Sequence, residues 1–197
     1  MRRLRLIEAT DGSVSIRDAE TDTLWGFSPA GTIEAGFAAD AFVRLPEVHV
    51  VVLRSARLID DAVSSFATWS NAGWATFDAR LHAAIEQIER ADPGLNTVLW
   101  PGSGSILSDG VSTLSFARKH PHTRLMIDPV AWITDSMRGD AEDHLMRFGQ
   151  ALSLCESLDA VVVRGLDTTG SRPTIGADTV EALLTPALDR AGVLVRA

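Results

Sequence analysis

Five short apolar runs, each stopping at a polar residue or a tight turn, set the rhythm of this chain. His49 to Leu53 ends at Arg54-Ser55, and Thr97 to Trp100 ends at Pro101-Gly102-Ser103-Gly104-Ser105. Leu125 to Ile127 ends at Asp128-Pro129, Ala160 to Val163 at Arg164-Gly165, and Val193 to Val195 at Arg196. Uninterrupted runs such as Val50-Val51-Val52 suit parallel strands covered on both faces, whereas half-exposed antiparallel strands alternate. The endings then share one edge of a sheet, where α/β proteins place their sites.

Helical spacing fills the intervals. Trp74, Phe77, Leu81, Ile85 and Ile88 recur every three or four residues and are stopped by Asp92-Pro93-Gly94. A second helix starts with Ser108 or Asp109 as N-cap, runs towards Lys119 and is closed by His120-Pro121. A third covers roughly Asp140 to Ser157. A fourth covers Asp178 to Ala191, with Pro186 imposing a kink or an early break.

The front of the chain reads differently. Leu4 to Ala9 and Ser13 to Asp18 alternate loosely around Thr10-Asp11-Gly12, a hairpin signal, and Leu24 to Phe27 extends it to a meander. The spacing of Phe37, Ala41 and Phe42 predicts a helix over Ala30 to Leu45, ended by Pro46. Ser64 to Gly73, small and polar around Trp69, predicts a mobile loop. The expectation is a single α/β domain over residues 1–197. Residues 1–47 form a divergent meander and helix, and 48–197 alternate β and α.

Composition narrows the function classes. Net charge of −8 and a pI near 5.0 argue against a nucleic-acid or anionic-membrane surface. The start, Met-Arg-Arg before Leu4-Arg5-Leu6-Ile7-Glu8, is too broken by charge for a signal-peptide core, and no apolar stretch approaches a bilayer span. The lone Cys155 sits in an apolar pattern and reads as a core thiol, which fits a reducing cytoplasm.

Chemistry-bearing residues gather at the strand ends. Gly102, Ser103, Gly104 and Ser105 can turn N–H groups and hydroxyls towards an anion, although they form neither a phosphate-binding P-loop nor GxGxxG. Arg54 and Arg164 occupy equivalent ends and can converge on a phosphate or carboxylate, or pair with Asp128 or Asp167. Asp128 can act as acid or base, bind a sugar hydroxyl, ligate a metal, or cap the next turn. The five histidines form no metal motif.

From about Val48 onward the chain resembles the sugar phosphate isomerase/epimerase group, the xylose isomerase-like TIM barrels. Val98-Leu99-Trp100-Pro101-Gly102-Ser103 is similar to that family's fifth-strand ending. Leu107-Ser108-Asp109 and Arg124-Leu125-Met126-Ile127-Asp128-Pro129 are similar to its next helix and sixth strand. The runs ending at Arg164 and Arg196 would be strands seven and eight. The resemblance implies a TIM-barrel-like fold with Asp128 at the sixth-strand carboxylate position. It also marks departures. Trp100 and Arg196 stand near the two positions where the family carries metal-binding glutamates, Ala131 where its histidine falls, and Arg164 replaces a seventh-strand ligand.

One carboxylate cannot hold a catalytic divalent ion, so the expectation is a site with no metal and no cofactor. An eight-stranded barrel of this kind needs roughly 250 residues, so the expected barrel is either incomplete or has its first strands joined by tight turns. Two functions fit. One is binding of a small anionic or polyhydroxylated ligand by Arg54, residues 102–105, Arg164 and Arg196, with Asp128 as the catalytic group if the protein is an isomerase-like enzyme. The other is a non-catalytic barrel acting as an assembly or regulatory partner, with a homo-oligomer covering apolar sheet left bare.

Overall fold

A computed structural model describes residues 1–37, 41–42, 48–55, 69–102, 105–167 and 174–197. Its centre is a closed eight-stranded barrel. Strand β1 (Arg2–Glu8) pairs antiparallel with β2 (Val14–Asp18), and β2 pairs antiparallel with β3 (Leu24–Ser28). After the two-residue strands β4 (Gly31–Thr32) and β5 (Gly36–Phe37), β6 (Val50–Ser55) lies parallel beside β3. Then β7 (Asn96–Pro101), β8 (Arg124–Ile127), β9 (Leu158–Val163) and β10 (Val193–Arg196) follow in parallel, and β10 closes onto β1. Only β2 runs against the other barrel strands.

Closure within 197 residues follows from the front end. Tight turns at 9–13 and 19–23, with Gly12 at φ 81°, replace two helical crossovers. The incomplete-barrel alternative is thereby corrected. The helix expected over Ala30 to Leu45 is also corrected where it can be seen. Gly31 (φ 112°) and Gly36 (φ 82°) adopt left-handed backbone, and a small hairpin of β4 and β5 forms in its place. The rest of that expectation lies partly outside the described residues, as do residues 64–68 of the expected loop; Asn71 to Gly73 begin a helix.

Helices wrap the outer face. Helix α1 (Asn71–Ala91) is capped by Ser70, whose hydroxyl accepts from the Gly73 N–H at 3.1 Å, and buries Phe77, Leu81, Ala84 and Ile88. Burying each of the three large side chains contributes about 1.5–3 kcal/mol. Helix α2 (Gly110–Lys119) is capped by Asp109, which accepts from the Ser112 N–H at 2.8 Å. Two 3-10 turns, Pro129–Trp132 and Asp135–Asp140, lead into α3 (Ala141–Leu152), shorter than the periodicity predicts. The Pro186 break divides the last helical stretch into α4 (Ala177–Leu183) and α5 (Thr185–Ala191).

Side-chain alternation sorts the barrel. Leu4, Ile16, Val52, Val98, Met126, Val162 and Val195 fill its interior. Val51, Leu53, Leu99, Leu125, Val161 and Leu194 face outward beneath the helices. Arg3, Arg5 and Arg17 point outward from β1 and β2, whereas Arg2 and Asp18 share the inward parity of Leu4 and Ile16 and meet at the N-terminal end of the barrel. Arg2 pairs with Asp18 at 3.1 Å, Arg3 with Glu181 on α4 at 2.6 Å, and Arg5 and Arg17 with Asp22. The Asp22 pairs lie on the outer face of this β1–β2 wall, which no helix among the described residues covers over β2. Cys155 is buried just beyond α3, and desolvation pushes its thiol above the ordinary value.

Glu181 makes part of this wall pH-sensitive. Hydrogen bonds from Arg3 and then Arg196 hold its carboxyl below the ordinary glutamate value of 4.5. A lowered folded-state value means that the stabilisation is complete above the unfolded value and is lost as pH falls through the folded one. Urea midpoints measured from about pH 5 down to about pH 3 should therefore fall less steeply in Glu181→Gln than in the parent. Identical slopes would show that the carboxylate gains nothing on folding.

Candidate functional site

The C-terminal ends of the seven parallel strands share one rim, joined by the 9–13 turn between β1 and β2. Strand periodicity decides what reaches the mouth. Val50 and Val52 point into the barrel, so Arg54, two residues on, is the next inward position of β6. By the same count Trp100 follows Val98, Asp128 follows Met126, and Arg164 follows Ala160 and Val162. Together with Gly31 and Thr32, these side chains line a cavity of about 320 Å³.

Asp128 is buried, and both its oxygens are engaged. Oδ2 accepts from Arg164 Nε at 2.7 Å, and Oδ1 accepts from the Ala131 N–H at 3.2 Å, capping the 3-10 turn after β8. That arrangement orients the Arg164 guanidinium, whose side chain is 41% exposed, towards the cavity. It suits Asp128 as a positioning carboxylate better than as a group that exchanges a proton with a ligand.

Arg54 reaches the opposite side of the mouth. Its Nη2 donates to the Gly12 carbonyl, and Nη1 lies 3.9 Å from Glu8 Oε1, a weak pairing with an exposed carboxylate. Its Nε is buried and has no hydrogen-bond partner among the described residues. A buried donor left without an acceptor costs about 1–3 kcal/mol.

The remaining candidate residues divide. Gly102 lines the cavity, but its N–H donates to the Ser55 carbonyl at 2.7 Å, which continues the β6–β7 ladder. Ser105 is fully buried, and its Oγ accepts from the Leu107 N–H at 3.1 Å, so it builds the turn. Ser103 and Gly104 lie outside the described residues. Arg196 is separated from the mouth. Val195 takes the inward position, so Arg196 turns out to α4 and pairs with Asp178 at 2.8 Å and Glu181 at 2.5 Å.

Gly31, Thr32 and the buried Glu34, whose carboxylate accepts from Ser55 Oγ, join the rim unannounced by periodicity. The paired glycines at 31 and 36 were the signal available for that turn. Among the described residues no three His, Cys, Asp or Glu side chains gather as a metal site, and no helix is long and apolar enough to cross a membrane. No protein-family model matches the chain, and no curated protein or solved structure is significantly similar to it.

Proposed function

We propose that the barrel is TIM-barrel-like and xylose isomerase-like, and that its mouth binds a small anionic, sugar-like ligand without a metal. The observation that carries this reading is the meeting of Arg54 and Arg164 on one cavity. Two guanidinium groups at the mouth favour an anion and oppose a divalent cation. Asp128 keeps Arg164 in place, and the half-buried Trp100 offers an apolar surface to the ligand's carbon skeleton. A cavity of about 320 Å³ suits a ligand of sugar size.

Calorimetric titration with a panel of sugar phosphates and sugar acids, beside the matching uncharged sugars, tests this directly. Binding should be confined to the anions and weaken with salt. Arg54→Gln should lower the affinity about ten- to a hundredfold, the worth of a charge-assisted hydrogen bond, measured well below the variant's own thermal midpoint because the change also removes the bond to the Gly12 carbonyl. Equal binding of the uncharged sugars, or an affinity indifferent to Arg54→Gln, would sink the reading.

A further inference from the structure

We infer that Glu8 restricts the mouth to singly charged sugar anions, a sugar acid or a sugar sulfate, against a doubly charged sugar phosphate. This assignment rests on anion binding at the mouth and narrows it. Strand periodicity places the residue. Leu4 and Leu6 pack into the barrel interior, so Glu8 is the next inward position of β1, on the same rim as Arg54. Strands β2 and β3 separate β1 from β6 around the barrel. Glu8 stands opposite Val14 on β2, and Val14 opposite Ser28 on β3. Both of these short side chains are buried. Glu8 and Arg54 therefore meet across the mouth, with Oε1 3.9 Å from Nη1.

Charge at the mouth sets the discrimination. Each guanidinium already faces a carboxylate: Arg164 donates from Nε to Asp128 at 2.7 Å, and Arg54 has Glu8 beside it. The other described acids of this rim act in the same direction. Asp11 lies in the 9–13 turn, and Glu34 accepts from Ser55 Oγ. Past Arg164, Arg138 pairs with Asp135 and holds the Asp167 carbonyl, so this side adds two carboxylates for one guanidinium. An anion held on Arg54 rests roughly 7 Å from Glu8, the 3.9 Å contact plus one charge-assisted hydrogen bond. Glu8 is 68% exposed, and at a water-like dielectric that separation lowers affinity about threefold per unit of ligand charge. Coulomb energy is proportional to charge. A dianion therefore loses about tenfold where a monoanion loses about threefold.

Glucose 6-sulfate and glucose 6-phosphate have nearly the same shape and differ by one charge at about pH 7.5, above the second phosphate pKa of about 6. Calorimetric titration at low salt should rank the 6-sulfate and glucuronate above the 6-phosphate in the parent. The order of glucuronate and the 6-sulfate tells a carboxylate ligand from a sulfate. Glu8→Gln should tighten the 6-phosphate about tenfold and the two monoanions about threefold. Glu20→Gln removes the same charge from the exposed 19–23 turn at the other end of the barrel and should leave all three affinities unchanged. A parent that prefers the 6-phosphate, or equal gains for phosphate and sulfate in Glu8→Gln, overturns the role of Glu8 while the anion site stands. If none of the three binds, anion binding at the mouth itself fails and the role of Glu8 falls with it.

Discussion

Gly149→Val should lower the unfolding free energy by about 3 kcal/mol or more, with Gly149→Ala losing about 2 kcal/mol, values at and just beyond the usual cost of overpacking. A Cβ built at Gly149 would stand 2.8 Å from the Leu183 carbonyl oxygen and 3.3 Å from Leu184 Cα. Both are backbone atoms at the junction of α4 and α5, so no flexible side chain can move aside. Alanine would otherwise gain about 1 kcal/mol over glycine within a helix. The steric term must therefore exceed that gain for the variant to lose stability. Urea unfolding with an unchanged slope is the measurement. A more stable Gly149→Ala would show that α3 can shift away from the junction at little cost.

Asp128→Ala should cost about 3 kcal/mol, the sum of a lost cap and a lost charge-assisted hydrogen bond. Asp128→Asn keeps an oxygen for the Ala131 N–H while removing the charge facing Arg164, so its loss should be about half as large. The order alanine below asparagine below parent in thermal midpoint is the expected result. If both variants match the parent, the pair contributes nothing, and Arg164 is held by other contacts. Because Arg164 is partly exposed, solvent screening keeps this cost below that of a fully buried pair.

Much of the strand and helix order was legible in the residue pattern. The unbroken valine runs became parallel strands, Asp109 became the cap of α2, and Pro186 became the break between α4 and α5. The helix expected over 30–45 failed because apolar spacing there was outweighed by glycines at 31 and 36 that take left-handed backbone. At the mouth, Arg54, Asp128 and Arg164 were identifiable as strand-end residues, and the structure brings them around one cavity. Arg196 looked equivalent to them and is not. Its strand is offset by one position in inward–outward alternation, and a single step in a strand reverses the face.

The chain's own pattern determined where elements begin and end and which side chains alternate, because those depend on neighbouring backbone sterics and on short periods. Only the tertiary structure decided that two hairpin turns close the barrel, that Asp128 is engaged by Arg164 and the Ala131 N–H, and that Arg54 and Arg164 meet on one cavity. These outcomes hinge on strand registers and approaches between residues far apart in the chain. No local periodicity encodes those distances, and packing sets them once the barrel is shut.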